Sequence, residues 1–459
     1  EQLYCEAMTD NSYTKQPNDA TQNIGNGSYS TADPYVKKVW DGRYTGIRMC
    51  NELLENIDRV PDLDPELKKR YIGEAKVLRA YNYYELYTKF GDVPYTTKVL
   101  SIKESMSIAR TAKATVIANV LADLDEVING NYLPTSYDAD NKGRITRWAA
   151  MAIKAKIYLF EGNWTQVKNI TSTIMTEGGF KLFGSYAGLF EIANEYNSEV
   201  ILDAQYRPTS REHQMMYVFL PPTLGGYSQL SPLQELVDSY IMLDGKTIKE
   251  TGTSFDESHP YANRDPRLKA TVMYTGNSYT LADGTEVVIN CEKGEGKDGY
   301  GVGSDCSATG YYIKKYWDNT YRATLYSGLN PILIRYADIL LMNAEALAEL
   351  GELDKTAWDA TIKPIRDRAG FTLASALEFP EGASKDKLIE IVRNERRSEL
   401  ALEGHRHKDI IRWRIADNVL NGWCHGLKTN DVVGTDDGYV RVENRTFNAN
   451  KHYLWPIPQ

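Results

Sequence analysis

Long apolar runs are missing from this chain of 459 residues. No stretch approaches the roughly 18 uncharged apolar residues of a membrane-spanning helix, so none is expected within these residues. A basic excess is missing too. Lys and Arg number 53 against 62 Asp and Glu, a net charge of −9. Nucleic-acid binders normally gather a basic face, so the balance argues against that class. Cysteine is scarce: Cys5, Cys50, Cys291, Cys306 and Cys424 are odd in number and widely spaced. They form no CxxC pair, which argues against a zinc site, and Cys291 with Cys306 is the one pair placed to bridge a loop. The opening Glu1-Gln2-Leu3-Tyr4-Cys5 shows neither a basic n-region nor an apolar h-region, and the chain reads as a mature or trimmed product. Tyr4 is a poor fit to the small residue that lipidation of a following cysteine needs, so Cys5 reads as an ordinary thiol. Gly-x-Ser-x-Gly, His-Glu-x-x-His and P-loop patterns do not occur.

Core-forming material is ample. Hydrophobic residues make up 42% and aromatics 11%, which rules out disorder for most of the chain. At roughly 150 residues per domain the length suggests about three domains or one compound unit. Tyrosine stands out, with 32 Tyr against 10 Phe. A tyrosine is an apolar plate with a polar tip, suited to wet binding faces.

Residues 1–34 are polar and turn-rich (Asn11-Ser12, Pro17-Asn18-Asp19, Gly25-Asn26-Gly27-Ser28) and read as a long surface loop. Helices are expected over 35–60 and 65–90. Asp64-Pro65-Glu66 supplies a cap, a first-turn proline and a first-turn acid, while Gly91 and Pro94 stop the second helix. Another amphipathic helix covers 111–130. Residues 145–177 read as a helical hairpin around Glu161-Gly162-Asn163, and 332–370 repeat the plan around Gly351. Such hairpins resemble tetratricopeptide repeats, whose period is about 34 residues. Residues 180–330 differ in texture, rich in Gly, Tyr, Pro and Asn. Val287-Val288-Ile289 and Tyr311-Tyr312-Ile313 read as short strands there. Helix returns at 385–403, followed by a loop-rich tail. The expected organisation is mainly α: an N-terminal loop and helical scaffold over 1–178, an irregular loop-rich region with short strands over 179–330, and a C-terminal scaffold and tail over 331–459.

Five runs, in order, resemble one family. They are Arg79-Ala80-Tyr81-Asn82-Tyr83-Tyr84-Glu85-Leu86 with Phe90-Gly91-Asp92-Val93-Pro94-Tyr95; Leu236 to Tyr240, Asp244-Gly245 and Asp265-Pro266-Arg267-Leu268; Ile334-Arg335-Tyr336-Ala337-Asp338 onward to Ala346; Asn394-Glu395-Arg396-Arg397-Ser398-Glu399-Leu400 through Arg406; and Tyr453-Leu454-Trp455-Pro456-Ile457-Pro458. Together they are similar to the SusD/RagB-like proteins, over nearly the whole chain. The resemblance implies an outer-membrane, surface-exposed lipoprotein of Bacteroidetes with a tetratricopeptide-like scaffold. It implies no enzyme activity, but capture of oligo- or polysaccharide for a SusC-like TonB-dependent transporter. The RagB branch handles peptides, and a glycoside hydrolase on a helical scaffold is the more distant alternative. Members usually begin with a signal, a lipidated cysteine and a first helix that are not seen here, so attachment through an upstream lipid anchor is implied by the family alone. No cofactor is implied. Family members bind calcium, but no site can be placed: Asp138-Ala139-Asp140-Asn141-Lys142-Gly143 resembles a calcium loop and lacks its closing Glu, since position 149 is Ala.

Within the runs, Tyr83, Tyr84 and Leu86 are expected to pack between helices, and Gly91 to Pro94 to reverse the chain. The alternating charges of Arg393–Arg406 are expected to form a helix-side ion-pair network. His405 and His407, two apart, fall on different helix faces and read as surface or loop histidines. Family ligand residues follow no fixed motif, so candidates come from loop position. Trp40, Trp148, Trp164, Trp358, Trp413 and Trp455 are assigned to packing, leaving Trp317 and Trp423. The loop tyrosines are Tyr13, Tyr29, Tyr227, Tyr279 and Tyr300. Tyr227 follows Gly225-Gly226, which would let backbone approach a ligand closely. Asn26 and Asn277, in the turns beside Tyr29 and Tyr279, complete the candidate ligand set, of which two or three tyrosines are expected to touch ligand.

Overall fold

A computed structural model describes residues 3–15, 21–318, 320 and 326–459; the Pro17-Asn18-Asp19 turn lies outside them. The chain divides into two compact units. One holds residues 28–179 and 448–459, the other residues 1–27 and 180–447. The expected boundary after 178 is close to one of these breaks. The C-terminal scaffold, however, is continuous with the irregular region, and the extreme ends exchange allegiance.

The unit of residues 28–179 is helical, with helices Pro34–Asn56, Pro65–Phe90, Lys113–Asn129, Arg147–Phe160 and Trp164–Glu177. Their starts follow the capping signals. The Asp64 carboxylate accepts from the Leu67 amide at 2.8 Å, and Thr146 and Asn163 cap the two arms of the hairpin. Gly91 ends the long helix at φ +70°, a conformation L side chains rarely adopt. Ala149, Ala152 and Ala155 are fully buried. Tyr83, Tyr84 and Leu86 are buried as expected, and Tyr83 Oη both donates to the Thr96 carbonyl and accepts from its amide. Arg79 joins two neighbours, donating to Asn51 at 2.9 Å and to Asp123 at 2.7 Å. The last residues return here. The Trp455 amide donates to Lys89 O at 2.7 Å, and its ring meets Phe90 edge-on at 5.8 Å. The closing motif thus plugs the end of the helix that carries the first motif.

The other unit is irregular. It contains short antiparallel pairs: Ser12–Thr14 with Leu230–Pro232, Val200–Asp203 with Ile332–Arg335, Val272–Met273 with Tyr312–Ile313, and Ser278–Thr280 with Glu286–Val288. Strands Gly422–Lys428 and Tyr439–Arg445 form a hairpin within the tail that composition marked as loop. Helices Tyr336–Leu350 and Lys385–Glu399 pack on each other. A core that includes Phe219, Tyr240, Tyr279, Tyr311 and Tyr312 lies among the short pieces. All five cysteines are free, so Cys291 and Cys306 are not bridged.

Residues 3–14 are not the expected surface loop. Glu6, Thr9, Asp10, Asn11, Ser12 and Thr14 are buried. Arginines from the far end of the chain bind several of their polar groups. Arg406 forks onto Asp10 with two bonds of 2.8 Å, and Arg445 donates to the carbonyls of Thr9 and Ser12. Polarity was misread as exposure because the compensating charges lie about 400 positions away (|i−j| 396 for Arg406–Asp10).

The motif charges also differ from a helix-side network. Arg335, Glu399 and Glu403 are buried in the core of this unit. Arg335 donates to Glu199 at 2.7 Å, to Glu399 at 2.6 Å and to both oxygens of Glu403. Arg267 holds Asp265, Glu395 and Glu399, while Arg396 holds Asp338 and Asp409. Lys315 reaches Glu403 at 2.7 Å. Burial alone would raise the Glu403 carboxyl, yet Arg335 and Lys315 bring it down to about 2. Three of the five family runs therefore meet as one ionic knot that ties distant segments together.

Candidate functional site

Eleven tyrosines are buried among the described residues, and the reason is local. An irregular segment leaves carbonyls without ladder partners, and a buried phenol supplies the missing donor. Tyr279 is fully buried and donates to Ile313 O at 2.8 Å, so it offers no plate to a ligand. Tyr29 is buried in the helical unit with its ring 5.2 Å from His452. Asn277 is buried as well, donating to the carbonyls of Lys269 and Val272 and accepting from Lys314 Nζ at 3.0 Å. These three expectations are corrected by burial. Trp317 is half-buried; its indole donates to Thr280 O at 2.9 Å and its ring wedges on Tyr279 at 5.1 Å. Tyr300 packs partly buried against the same core. Trp423 is exposed, with Arg441 over its ring at 5.6 Å.

Two candidates, one on strand Ser12–Thr14 and one ending helix Thr21–Asn26, come together. Gln22 donates to Tyr13 Oη at 3.3 Å and to Glu443 Oε1 at 3.1 Å, and Asn26 donates to that same oxygen at 3.2 Å. Burial, then the Glu443 charge, raises the Tyr13 phenol. This cluster is polar and inward-facing, with no open apolar plate.

Tyr227 is different: it is 37% exposed. The short helix Met215–Phe219 buries Met216 and Phe219 in the core and leaves Tyr217 partly buried at its edge. The chain then doubles back. The Tyr227 amide donates to Tyr217 O at 3.0 Å, and Gln229 N to Val218 O at 2.6 Å. Gly225 permits the turn at φ +81°. Gly226 is needed for a reason other than ligand access: a Cβ there would lie 2.1 Å from Leu220 O. The glycine pair brings the chain against itself, and that closeness fixes the two tyrosines. Their ring centroids are 4.1 Å apart with planes inclined 49°. The neighbouring Tyr227 phenol, with desolvation, pushes Tyr217 up to about 12. Tyr326, 44% exposed, and Asp305 stand close enough to act on the same phenol. Beside the helix lies a recess of about 260 Å³ lined by Tyr4, Tyr206, His213, Met215 and Val218. Arg211 covers Tyr206 at 5.1 Å, and His213 Nε2 meets Leu329 O at 2.8 Å.

The result is an exposed aromatic face on a braced backbone. Such a face suits a ligand with apolar C–H surfaces and a hydroxyl fringe. Tyr217 and Tyr326 were missed in the sequence; Tyr217 lies ten positions before Tyr227, on a short helix that composition did not reveal. Among the described residues no group of three or more His, Cys, Asp or Glu side chains is placed to hold a metal ion.

A family model described as the SusD family matches residues 189–459. The chain belongs to the SusD family. A second model, described as starch-binding associating with outer membrane, matches residues 1–159 of this SusD-family chain. A SusD-like protein of Formosa agariphila is 28% identical over 439 residues, covering 88% of this chain and 77% of that protein. Among solved structures, a SusD-like carbohydrate binding protein from Bacteroides fragilis superposes with a TM-score of 0.89 at 28% identity, covering 100% of this chain and 90% of the other. Surface glycan-binding protein A from Bacteroides thetaiotaomicron, in complex with laminarihexaose, shares the fold with a TM-score of 0.72 at 18% identity over 100% of this chain and 90% of that one. The mainly α, tetratricopeptide-like architecture expected from the helical hairpins is the SusD-like fold.

Proposed function

We propose that this SusD-family protein captures an oligo- or polysaccharide at the cell surface, without chemical change, and passes it to a TonB-dependent outer-membrane transporter. The observation that carries the reading is the close-packed Tyr217–Tyr227 pair, with Tyr227 at the surface and Tyr217 partly buried behind it. One face of a sugar ring is a sheet of C–H bonds that an aromatic plate can cover, while the ring's hydroxyls need donors and acceptors at its edge. Bracing reduces the ordering cost of binding, because the two plates are held before the ligand arrives. Planes inclined at 49° cannot both lie flat beneath one flat ribbon. They suit a glycan chain that turns. The match to carbohydrate-binding relatives supports the ligand class, and the family supports the transporter, the lipid anchor and the outer-membrane address.

The test is affinity electrophoresis against plant, fungal and host polysaccharides, with Tyr227→Ala beside the wild type. Retardation by one glycan, weakened at least tenfold in the variant (about 1.4 kcal/mol), supports the reading. Equal retardation of both proteins removes the tyrosine pair from the site. Retardation by no glycan, with binding of peptides instead, turns the reading to the RagB branch.

A further inference from the structure

A second aromatic surface lies elsewhere in the unit of residues 1–27 and 180–447, in a cleft of about 900 Å³. Tyr261 and Tyr274, each half-buried, stack almost parallel there, with centroids 4.0 Å apart and planes at 17°. The stack is anchored from beneath. Tyr261 Oη lies 3.2 Å from Tyr311 Oη, which donates to Gln234 Oε1 at 2.6 Å. Tyr311 is buried, so the chain of hydroxyls fixes the Tyr261 ring from inside the fold. One wall comes from the hairpin strands Gly422–Lys428 and Tyr439–Arg445, through Lys428, Thr429 and Tyr439.

The rim indicates the ligand's charge. Lys428 Nζ is held by Glu257 Oε1 at 2.6 Å, and Lys293 is held by Asp431. His259 meets Asp256 at 2.9 Å. Both rim lysines are thus neutralised by rim acids. No excess cation remains among these groups for a phosphate, sulfate or uronate. Ser258, Thr275, Thr429 and Asn430 add neutral donors and acceptors to the rim. A volume of this size is ordinary for a small-molecule site, where clefts run about 300–1,000 Å³.

We propose that this cleft is a second glycan-contacting site, one that takes an uncharged saccharide segment on the Tyr261–Tyr274 stack. The proposal rests on the reading of the chain as a glycan binder. Two contacts on one unit give a long glycan a second attachment at high effective concentration, whereas a short one fills each site independently.

Isothermal titration separates the possibilities. The titrants are laminarihexaose, maltohexaose, xylohexaose and mannohexaose. The proteins are the wild type, Tyr274→Ala, Tyr227→Ala and their double variant, with Asn430→Trp as a second way to obstruct the cleft from its exposed rim. The expected stoichiometry is two for the wild type, one for each single variant and for Asn430→Trp, and none for the double. Retention on the matching polysaccharide falls at least tenfold in either single variant. A stoichiometry of one in the wild type, unaltered by Tyr274→Ala and Asn430→Trp, overturns the second site and leaves the first reading intact. A single stoichiometry lost in Tyr274→Ala makes the cleft the sole site and also overturns the proposal. Binding of peptide but of no glycan by the wild type overturns both.

Discussion

Replacing Arg335 by Met removes the centre of the ionic knot while keeping an unbranched side chain of similar length. Arg335 is 1% exposed, and its guanidinium makes contacts of 2.6–2.8 Å with Glu199, Glu399 and Glu403. Breaking a buried pair by deleting one partner costs about 3–5 kcal/mol. The lower part of that range applies, because each carboxylate keeps a second cation: Arg368 for Glu199, Arg267 and Arg368 for Glu399, and Lys315 for Glu403. A ceiling also exists. A stranded carboxylate can take a proton, which near pH 7 costs about 4 kcal/mol, since each pH unit above the ordinary glutamate value costs about 1.4 kcal/mol. The sign follows. In the variant the folded carboxyl is raised, so its penalty is greatest at high pH and shrinks as pH falls. Urea unfolding followed by circular dichroism at pH 7.5 and 5.5 measures both. The expected gap to wild type is about 3–4 kcal/mol at the higher pH and about 1–2 kcal/mol at the lower. A gap below about 1 kcal/mol at pH 7.5, or one identical at both pH values, would refute the reasoning.

Three further outcomes are expected. His425 Nδ1 meets Glu235 at 2.8 Å and Nε2 meets Asp436 at 3.0 Å; the Glu235 bond, opposed by burial and joined by Asp436, raises the imidazole to about 9. Its contribution is therefore complete below the ordinary histidine value of about 6.5 and is lost as pH rises through about 9, so His425→Asn should flatten unfolding midpoints compared at pH 6 and 9.5; parallel curves for the two proteins would count against it. Gly226→Ala forces a Cβ to within 2.1 Å of a backbone oxygen, so it should cost about 1–3 kcal/mol in urea titration and weaken glycan retardation together, and wild-type values for both would contradict the bracing role. Trp455→Ala should cost about 3–5 kcal/mol and speed proteolysis of the C-terminal segment, and an unchanged cleavage rate would show that the ring does not hold that segment.

The helical unit was legible because its signals are local. Asp64-Pro65 and Gly91 mark both ends of one helix, and the structure gives Pro65–Phe90. The irregular unit was not. Its polar N-terminal segment is buried by arginines from the other end of the chain, and no window of sequence shows such a pairing. The motif charges announced an ionic network, but their spacing along one helix suggested partners on that helix. The true partners, Arg335 and Arg267, come from other segments. Tyrosine content misled in the same way. A loop position placed Tyr279 and Tyr227 in one class, whereas one lies in the core and the other at the surface. Only the return of the chain past Tyr217 distinguishes them.

Folding inherits the same long-range ties. Residues 34–177, which hold the five long helices of their unit, form one uninterrupted stretch and can pack with partners near in sequence. Residues 3–14 must wait. Their partners Arg397, Arg406 and Arg445 lie at least 386 positions away, so this polar strip gains its native anchors only when distant segments have closed. Loop closure over such separations is slow, which makes completion of the irregular unit the expected late event in maturation.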